Sequence, residues 1–154
     1  MPDSPAPGTT PGLRIARVFD APRERLWREW TRPEAFADWF GGPQGEIPLA
    51  SVSMDVREGG AWKATMHFGG REIHWHGRYV EVAEPERLVL TVSDQPGDDP
   101  DEIVTVVLTE VGDGRTEMVL TQGGGGLTAE EYERAKHGWG GFLDRMSERL
   151  ADGA

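Results

Sequence analysis

His67, Glu72, His74 and His76 stand on either side of Gly69-Gly70. If those glycines form a two-residue turn, the four side chains share one face of a hairpin with Lys63 and Thr65, and His-x-His beside a carboxylate is a donor set suited to zinc. The opposite face carries Trp62, Ala64, Met66, Ile73 and Trp75 and must be the inner one, which turns the histidines toward solvent. No metal is expected, and His67, His74 and His76 are the only candidate ligands. Asp55 and Arg57 share a strand face and are the candidates for acid–base chemistry, which needs a titratable group desolvated inside a cavity. The plainer reading pairs them with neighbouring strands or leaves them in water.

The six tryptophans are a different resource. Each supplies a large apolar surface with one N–H to place, so it either fills the core or lines a cavity. Trp62, Trp75 and Trp139 have the spacing to face one interior, and Tyr79 and Tyr132 add hydroxyls that could orient a polar group or mark the edge of the core. Three glycines beside Trp139, at 138, 140 and 141, sit in an otherwise helical stretch at a cost of about 1 kcal/mol each relative to alanine. Either a strand passes close by, or volume is left open for a ligand.

Composition narrows the classes. The chain has 154 residues, enough for one domain, and a formal charge of −11, which argues against gripping a nucleic-acid backbone. Cysteine is absent, so thiolate catalysis and Cys-based metal sites are excluded, and a reducing cytoplasm is the expected setting. No apolar run is long enough to span a membrane. Residues 1–12, rich in proline and without the basic and apolar regions of a signal peptide, are expected to form a disordered tail ahead of a single domain over 13–151. Gly123-Gly-Gly-Gly126 lacks the Gly-Lys-Ser/Thr ending of a phosphate loop and is read as a hinge. The acidic run containing Asp98, Asp99 and Asp101 lacks EF-hand spacing and is read as solvated loop.

The elements that would position these side chains follow from period and punctuation. Leu13–Phe19 reads as a strand, and Asp20 and Pro22 open a short helix with Leu26, Trp27 and Trp30 on one face. Thr31-Arg-Pro-Glu34 reads as a capping box for a second short helix carrying Phe36, Trp39 and Phe40, stopped by Gly41-Gly42-Pro43. Period-two alternation then predicts strands around Val52–Val56, Trp62–Phe68, Arg71–Val82, Arg87–Val92, Glu102–Glu110 and Arg115–Gln122. A phase change near Gly77 predicts a bulge that puts Val80 and Val82 inward. Thr128-Ala-Glu-Glu131 caps a long last helix with Tyr132, Ala135, Trp139, Phe142, Leu143, Met146 and Leu150 on one stripe.

Phe19-Asp-Ala-Pro22, Trp30-Thr-Arg-Pro33, Trp39-Phe40-Gly41, Asp55-Val-Arg57-Glu-Gly-Gly60-Ala-Trp62, Pro85-Glu-Arg-Leu88 and the run from Lys136 through Trp139 to Leu143 resemble, in order, the blocks of the family named for the activator of heat-shock-protein-90 ATPase, within the START-like (SRPBCC) superfamily. The resemblance implies an α+β helix-grip fold, similar to Bet v-like proteins, in which a curved seven-stranded antiparallel sheet wraps the long C-terminal helix. It also implies a ligand cavity between them, and Trp39, Phe40, Met54, Trp62, Met66, Trp75, Tyr79, Leu90, Met118, Trp139 and Phe142 are the expected lining. The leading expectation is a cofactor-free protein, monomer or homodimer, that binds a small apolar or aromatic molecule such as a lipid. A polyketide cyclase- or hydrolase-like enzyme and a chaperone-interacting module of the stress response are the alternatives. The eukaryotic activator adds an N-terminal chaperone-binding domain, for which this length leaves no room.

Overall fold

The computed structural model describes residues 12–41, 45–94 and 102–151. The proline-rich tail up to Pro11, the Gly42-Pro43 stop and the acidic run with Asp98, Asp99 and Asp101 lie outside the described residues. Seven strands form one antiparallel sheet: β1 (Gly12–Phe19), β2 (Ser53–Met54), β3 (Ala61–Phe68), β4 (Arg71–Ala83), β5 (Arg87–Val92), β6 (Glu102–Gly112) and β7 (Arg115–Gly123). Their order in space is β1-β7-β6-β5-β4-β3-β2, a meander closed on one side by the first strand. Two short helices, α1 (Arg23–Thr31) and α2 (Pro33–Trp39), follow β1, and the long α3 (Ala129–Ala151) ends the domain. The curved sheet and long terminal helix are the expected helix-grip architecture.

Local chemistry explains most of the boundaries. Gly69 and Gly70 take φ of 58° and 79°, the left-handed pair that a tight hairpin turn demands, and they set His67 opposite Glu72 across β3 and β4. At the start of α3 the capping box forms in full: the Glu131 N–H donates to the Thr128 hydroxyl at 3.1 Å, and the Thr128 N–H donates to the Glu131 carboxylate at 2.8 Å.

Several expectations are corrected. Gly12, assigned to the tail, already pairs with Gly123 in β1. Neither short helix has a side-chain cap: Pro22 and Arg32 occupy the N-cap positions, and the Thr31 hydroxyl donates back to the Trp27 carbonyl at 2.8 Å. Pro33 explains the second case, because it holds Arg32 in extended backbone and leaves Thr31 as the last residue of α1. The strand expected over Val52–Val56 shrinks to Ser53–Met54 after one turn of 3₁₀ helix at Leu49–Ser51. The bulge lies between Tyr79 and Glu81, beyond Gly77. Consequently Ile73, Trp75, Gly77 and Tyr79 keep one inward phase, and Val80 is 52% exposed rather than inward.

α3 is fixed near both ends. Toward its N-terminal half, Tyr132 donates to Glu102 at 3.1 Å, Gln122 donates to the same carboxylate at 2.9 Å, and Trp139 donates to the Gln122 carbonyl oxygen at 2.8 Å. Near its C-terminus Arg149 grips the buried Glu29 of α1 through two bonds of 2.8 and 3.1 Å, and Arg145 and Arg149 both bind Asp38 of α2. Between these fastenings the buried stripe of Trp139, Leu143 and Met146 completes the core.

Two of the three mid-helix glycines, Gly138 and Gly140, do not serve to admit a neighbouring strand, and Gly138 faces solvent. A Cβ added at Gly138 or Gly140 would meet nothing within 4 Å, so no strand passes close to either. Gly138→Ala is therefore expected to stabilise the protein by about 1 kcal/mol, by removing glycine's helix penalty without a clash. Urea unfolding of the two proteins measures it.

Candidate functional site

The expected lining residues come from every layer of the fold. Trp62, Trp75 and Tyr79 stand on the inner face of β3 and β4, Met54 on β2 pairs with Trp62, and Leu90 on β5 pairs with Tyr79. Trp39 lies in α2, with Phe40 just past its end, and Trp139 and Phe142 lie on α3. Phe40 is the meeting point. Its ring centroid lies 4.5 Å from that of Phe36, 6.3 Å from Trp62, 5.9 Å from Trp75, 6.1 Å from Trp139 and 5.1 Å from Phe142. These spacings are those of aromatic contacts, mostly edge-to-face. Phe40, together with Phe36, whose ring lies 5.9 Å from Trp62, joins the inner face of β3 and β4 to the helical layer.

Burial divides the set. Trp39, Phe40, Trp62, Met66, Tyr79, Leu90, Met118 and Trp139 are buried, whereas Met54, Trp75 and Phe142 are only partly covered. Three of the buried tryptophans have structural partners for their N–H groups. Trp39 donates to the Glu29 carbonyl at 2.7 Å, Trp62 to the Thr91 carbonyl at 2.9 Å, and Trp139 to Gln122. Met118 belongs to the core under α1, where its sulfur accepts from Trp30 at 3.4 Å. Trp75 and Tyr79 differ: the Trp75 Nε1 and the Tyr79 hydroxyl are buried and have no partner among the described residues. Burial pushes the Tyr79 pKa well above its usual 10.0, and the Asp55 carboxylate raises it further, so this hydroxyl stays protonated.

Gly77 shapes the surface between those two side chains. A Cβ there would lie 1.8 Å from the Thr91 carbonyl oxygen and 2.7 Å from the Trp62 Nε1. The missing side chain is what lets the Trp62 indole cross the strand and bond to Thr91. α3 approaches the sheet most closely along β1, on the far side from β3 and β4.

The polar candidates lie elsewhere. Asp55 and Arg57 form an ion pair at 2.8 Å, with side chains 52% and 71% exposed, so neither has the desolvation that acid–base work needs. His67 and His74 lie 3.8 and 3.5 Å from Glu72 on the outer face, all three well exposed, while His76 pairs with Ser93 in an isolated bridge. Among the described residues no group of three or more His, Asp and Glu side chains is arranged to hold a metal. The Tyr132 hydroxyl is committed to Glu102, and burial together with that carboxylate raises its pKa. The glycine-rich hinge is anchored too, since a Cβ on Gly125 would lie 2.0 Å from the Glu102 carboxylate.

Sequence reasoning missed the two fastenings of α3, and one surface cleft that accompanies them. The cleft, of about 530 Å³, opens between α1, α2 and α3 and is lined by Arg25, Arg28, Arg32 and Arg149 with Glu29 and Glu34. The spacing of Arg25, Arg28 and Arg32 on one helical face was the signal available.

No helix among the described residues is long and apolar enough to cross a membrane. Residues 20–151 match the profile of the family described as Activator of Hsp90 ATPase homolog 1-like protein. Among solved structures, a protein from Chromobacterium violaceum is similar at 28% identity, covering 89% of this chain and 94% of that one, with a TM-score of 0.77. The protein named AHSA1 from Silicibacter pomeroyi aligns at 21% identity over 93% of this chain and 99% of that one, with a TM-score of 0.80. An HSP90 activator from Plasmodium falciparum aligns at 21% identity over 92% and 97% of the two chains, with a TM-score of 0.70. The last two likenesses speak to the fold. No curated protein matches the sequence.

Proposed function

We propose that this chain, which belongs to the family of Activator of Hsp90 ATPase homolog 1-like proteins, is a non-catalytic binding protein that holds a small apolar or aromatic molecule between α3 and the β3–β4 half of the sheet. The observation that carries the reading is the set of rings that meet at Phe40. Trp62 and Trp75 from the sheet and Trp139 and Phe142 from α3 each contact the Phe40 ring, and Trp75 and Phe142 keep part of their surface uncovered. Concave, largely aromatic surfaces with a few polar groups are the usual makeup of small-molecule sites. We assign the protein to the cytoplasm, where its cysteine-free sequence needs no oxidising environment.

Native mass spectrometry of the gently purified protein, followed by thermal shifts against lipid and aromatic panels, tests this. A co-purifying mass or a clear rise in melting temperature with an aromatic compound is the expected result. Panels without effect on a protein free of bound mass would contradict it.

A second reading is interaction with an Hsp90-type chaperone, favoured by the family to which residues 20–151 belong and by the likeness to the Plasmodium falciparum activator. It requires a surface, and the arginine-lined cleft between α1 and α2 is the natural contact for an acidic partner. Stimulation of a chaperone ATPase that is lost in Arg28→Glu and kept in Phe40→Leu would favour it over ligand binding.

A further inference from the structure

The cleft of about 530 Å³ between α1, α2 and α3 has a chemistry of its own. Six of its lining residues are charged, Arg25, Arg28, Glu29, Arg32, Glu34 and Arg149, and the seventh is the small, buried Ala35. None of them belongs to the aromatic cluster at Phe40. In a chain with a net charge of −11, four guanidiniums around one cleft are a local reversal of sign. Arg25 and Arg28 stand three positions apart, and Arg28 and Arg32 four, spacings at which like charges oppose a helix. A placement that works against local stability points to a use.

Two of the four arginines are uncommitted. Arg149 is bound to Glu29 and Asp38, and Arg25 also has a partner in the fold. Arg28 and Arg32 are exposed, and their side chains form no hydrogen bond or ion pair among the described residues. Pro33 holds Arg32 in extended backbone, with φ −110° and ψ 128°, so the chain turns at this residue and its side chain lines the same cleft as that of Arg28.

We propose that this cleft is a second binding site, separate from the aromatic one, for a small phosphate monoester whose organic body carries hydroxyl groups, in chemical class a sugar phosphate. Charge selects the anion. Arg149 is matched by Glu29, which leaves Arg25, Arg28 and Arg32 against Glu34, an excess of two positive charges. A phosphate monoester carries about −2 at neutral pH and offers three acceptor oxygens, enough for the planar forks of Arg28 and Arg32 together. Glu34 selects the rest of the molecule, because its carboxylate repels a second phosphate and accepts hydrogen bonds from hydroxyls. Size agrees, since small molecules occupy clefts of roughly 300 to 1,000 Å³. A protein–protein interface keeps apolar groups at its core and charge at its rim, and this lining has no apolar side chain larger than that of Ala35.

Isothermal titration calorimetry on the full chain, with glucose 6-phosphate, glucose, succinate and polyglutamate as probes, tests this. Glucose 6-phosphate should bind at one site per chain, about tenfold more tightly than succinate, and glucose should give no binding heat. Arg28→Gln and Arg32→Gln should each weaken glucose 6-phosphate roughly tenfold, the value of one charge-assisted hydrogen bond. Arg28→Lys should lose less, because it keeps the charge and gives up only the fork. Arg115→Gln, exposed at the start of β7, should leave the affinity unchanged. Ligand-free melting temperatures of the Arg28 and Arg32 variants should stay level or rise, since like charges are removed from exposed positions, which separates lost binding from lost folding. No binding of glucose 6-phosphate at millimolar concentration, equal binding of succinate or glucose, or an equal loss in Arg115→Gln would overturn the proposal. Tighter binding of polyglutamate than of glucose 6-phosphate would also overturn it, and would turn the cleft into a contact for an acidic chain, as the chaperone reading requires.

Discussion

Arg149→Met should cost about 3 to 4 kcal/mol of stability, and about 10 °C of melting temperature in a domain of this size. Glu29 is 4% exposed, and the two bonds from Arg149 are what compensate its burial. Methionine keeps the apolar stem of the side chain and removes the cation, leaving a buried carboxylate with no counter-charge. The double variant Glu29→Leu, Arg149→Met should recover most of the loss, since a buried ion pair replaced by apolar groups of similar volume is near neutral. Calorimetric melts of the wild type, the single and the double variant settle this.

Asp38 adds a pH dependence to the same fastening. Burial raises its pKa, but hydrogen bonds from Arg145 and Arg149, backed by their charges, outweigh burial and hold the carboxyl below its usual 3.8. A carboxyl with a depressed folded-state pKa contributes stability that is complete above the unfolded value and is lost as pH falls through the folded one. Wild-type stability should therefore drop below about pH 4, and the Asp38 share of that slope should shrink in Arg149→Met.

This fastening had no local signature, which shows where sequence reasoning stops. Glu29 and Arg149 are 120 positions apart and Asp38 and Arg145 are 107, so only the folded chain brings them together. The same holds for the network of Tyr132, Glu102, Gln122 and Trp139. What could be read was local or periodic. The α3 stripe, its capping box, the Gly69-Gly70 hairpin and the count of strands are written in spacings of two and 3.6 and in turn residues. The cap expected for α2 failed because Pro33 fixes the backbone of its predecessor, a stronger constraint than a favourable Thr31–Glu34 spacing. The bulge was misplaced for a related reason. Valine at position 80 read as inward by residue type, but Tyr79 and Gly77 belong to the inward phase because the Trp62 indole needs the space over Gly77. The candidate site was legible as a set of aromatics. Its two unpartnered donors were not, because a hydrogen bond left unmade is a property of the whole neighbourhood.

Gly77→Ala should destabilise the protein by about 3 kcal/mol, the upper range for overpacking. Its Cβ would lie 1.8 Å from a backbone oxygen of β5, so relief requires the strands to separate, and 2.7 Å from the Trp62 Nε1, so that indole must also leave its bond to Thr91. The same substitution at Gly138 should act with the opposite sign, which makes the pair a test of local space rather than of glycine as such. Urea titrations give both values.

The indole N–H resonances of a ¹⁵N-labelled sample, followed while the aromatic compounds that raise its melting temperature are titrated, report directly on whether a molecule enters between α3 and the sheet. Trp75, whose N–H is free of partners among the described residues, should shift most, while Trp30 and Trp39, bonded to Met118 and to the Glu29 carbonyl, should stay in place. Shifts confined to backbone amides around Arg25, Arg28 and Arg32, with the Trp75 signal unmoved at saturation, would place binding on the outer cleft and contradict an interior site.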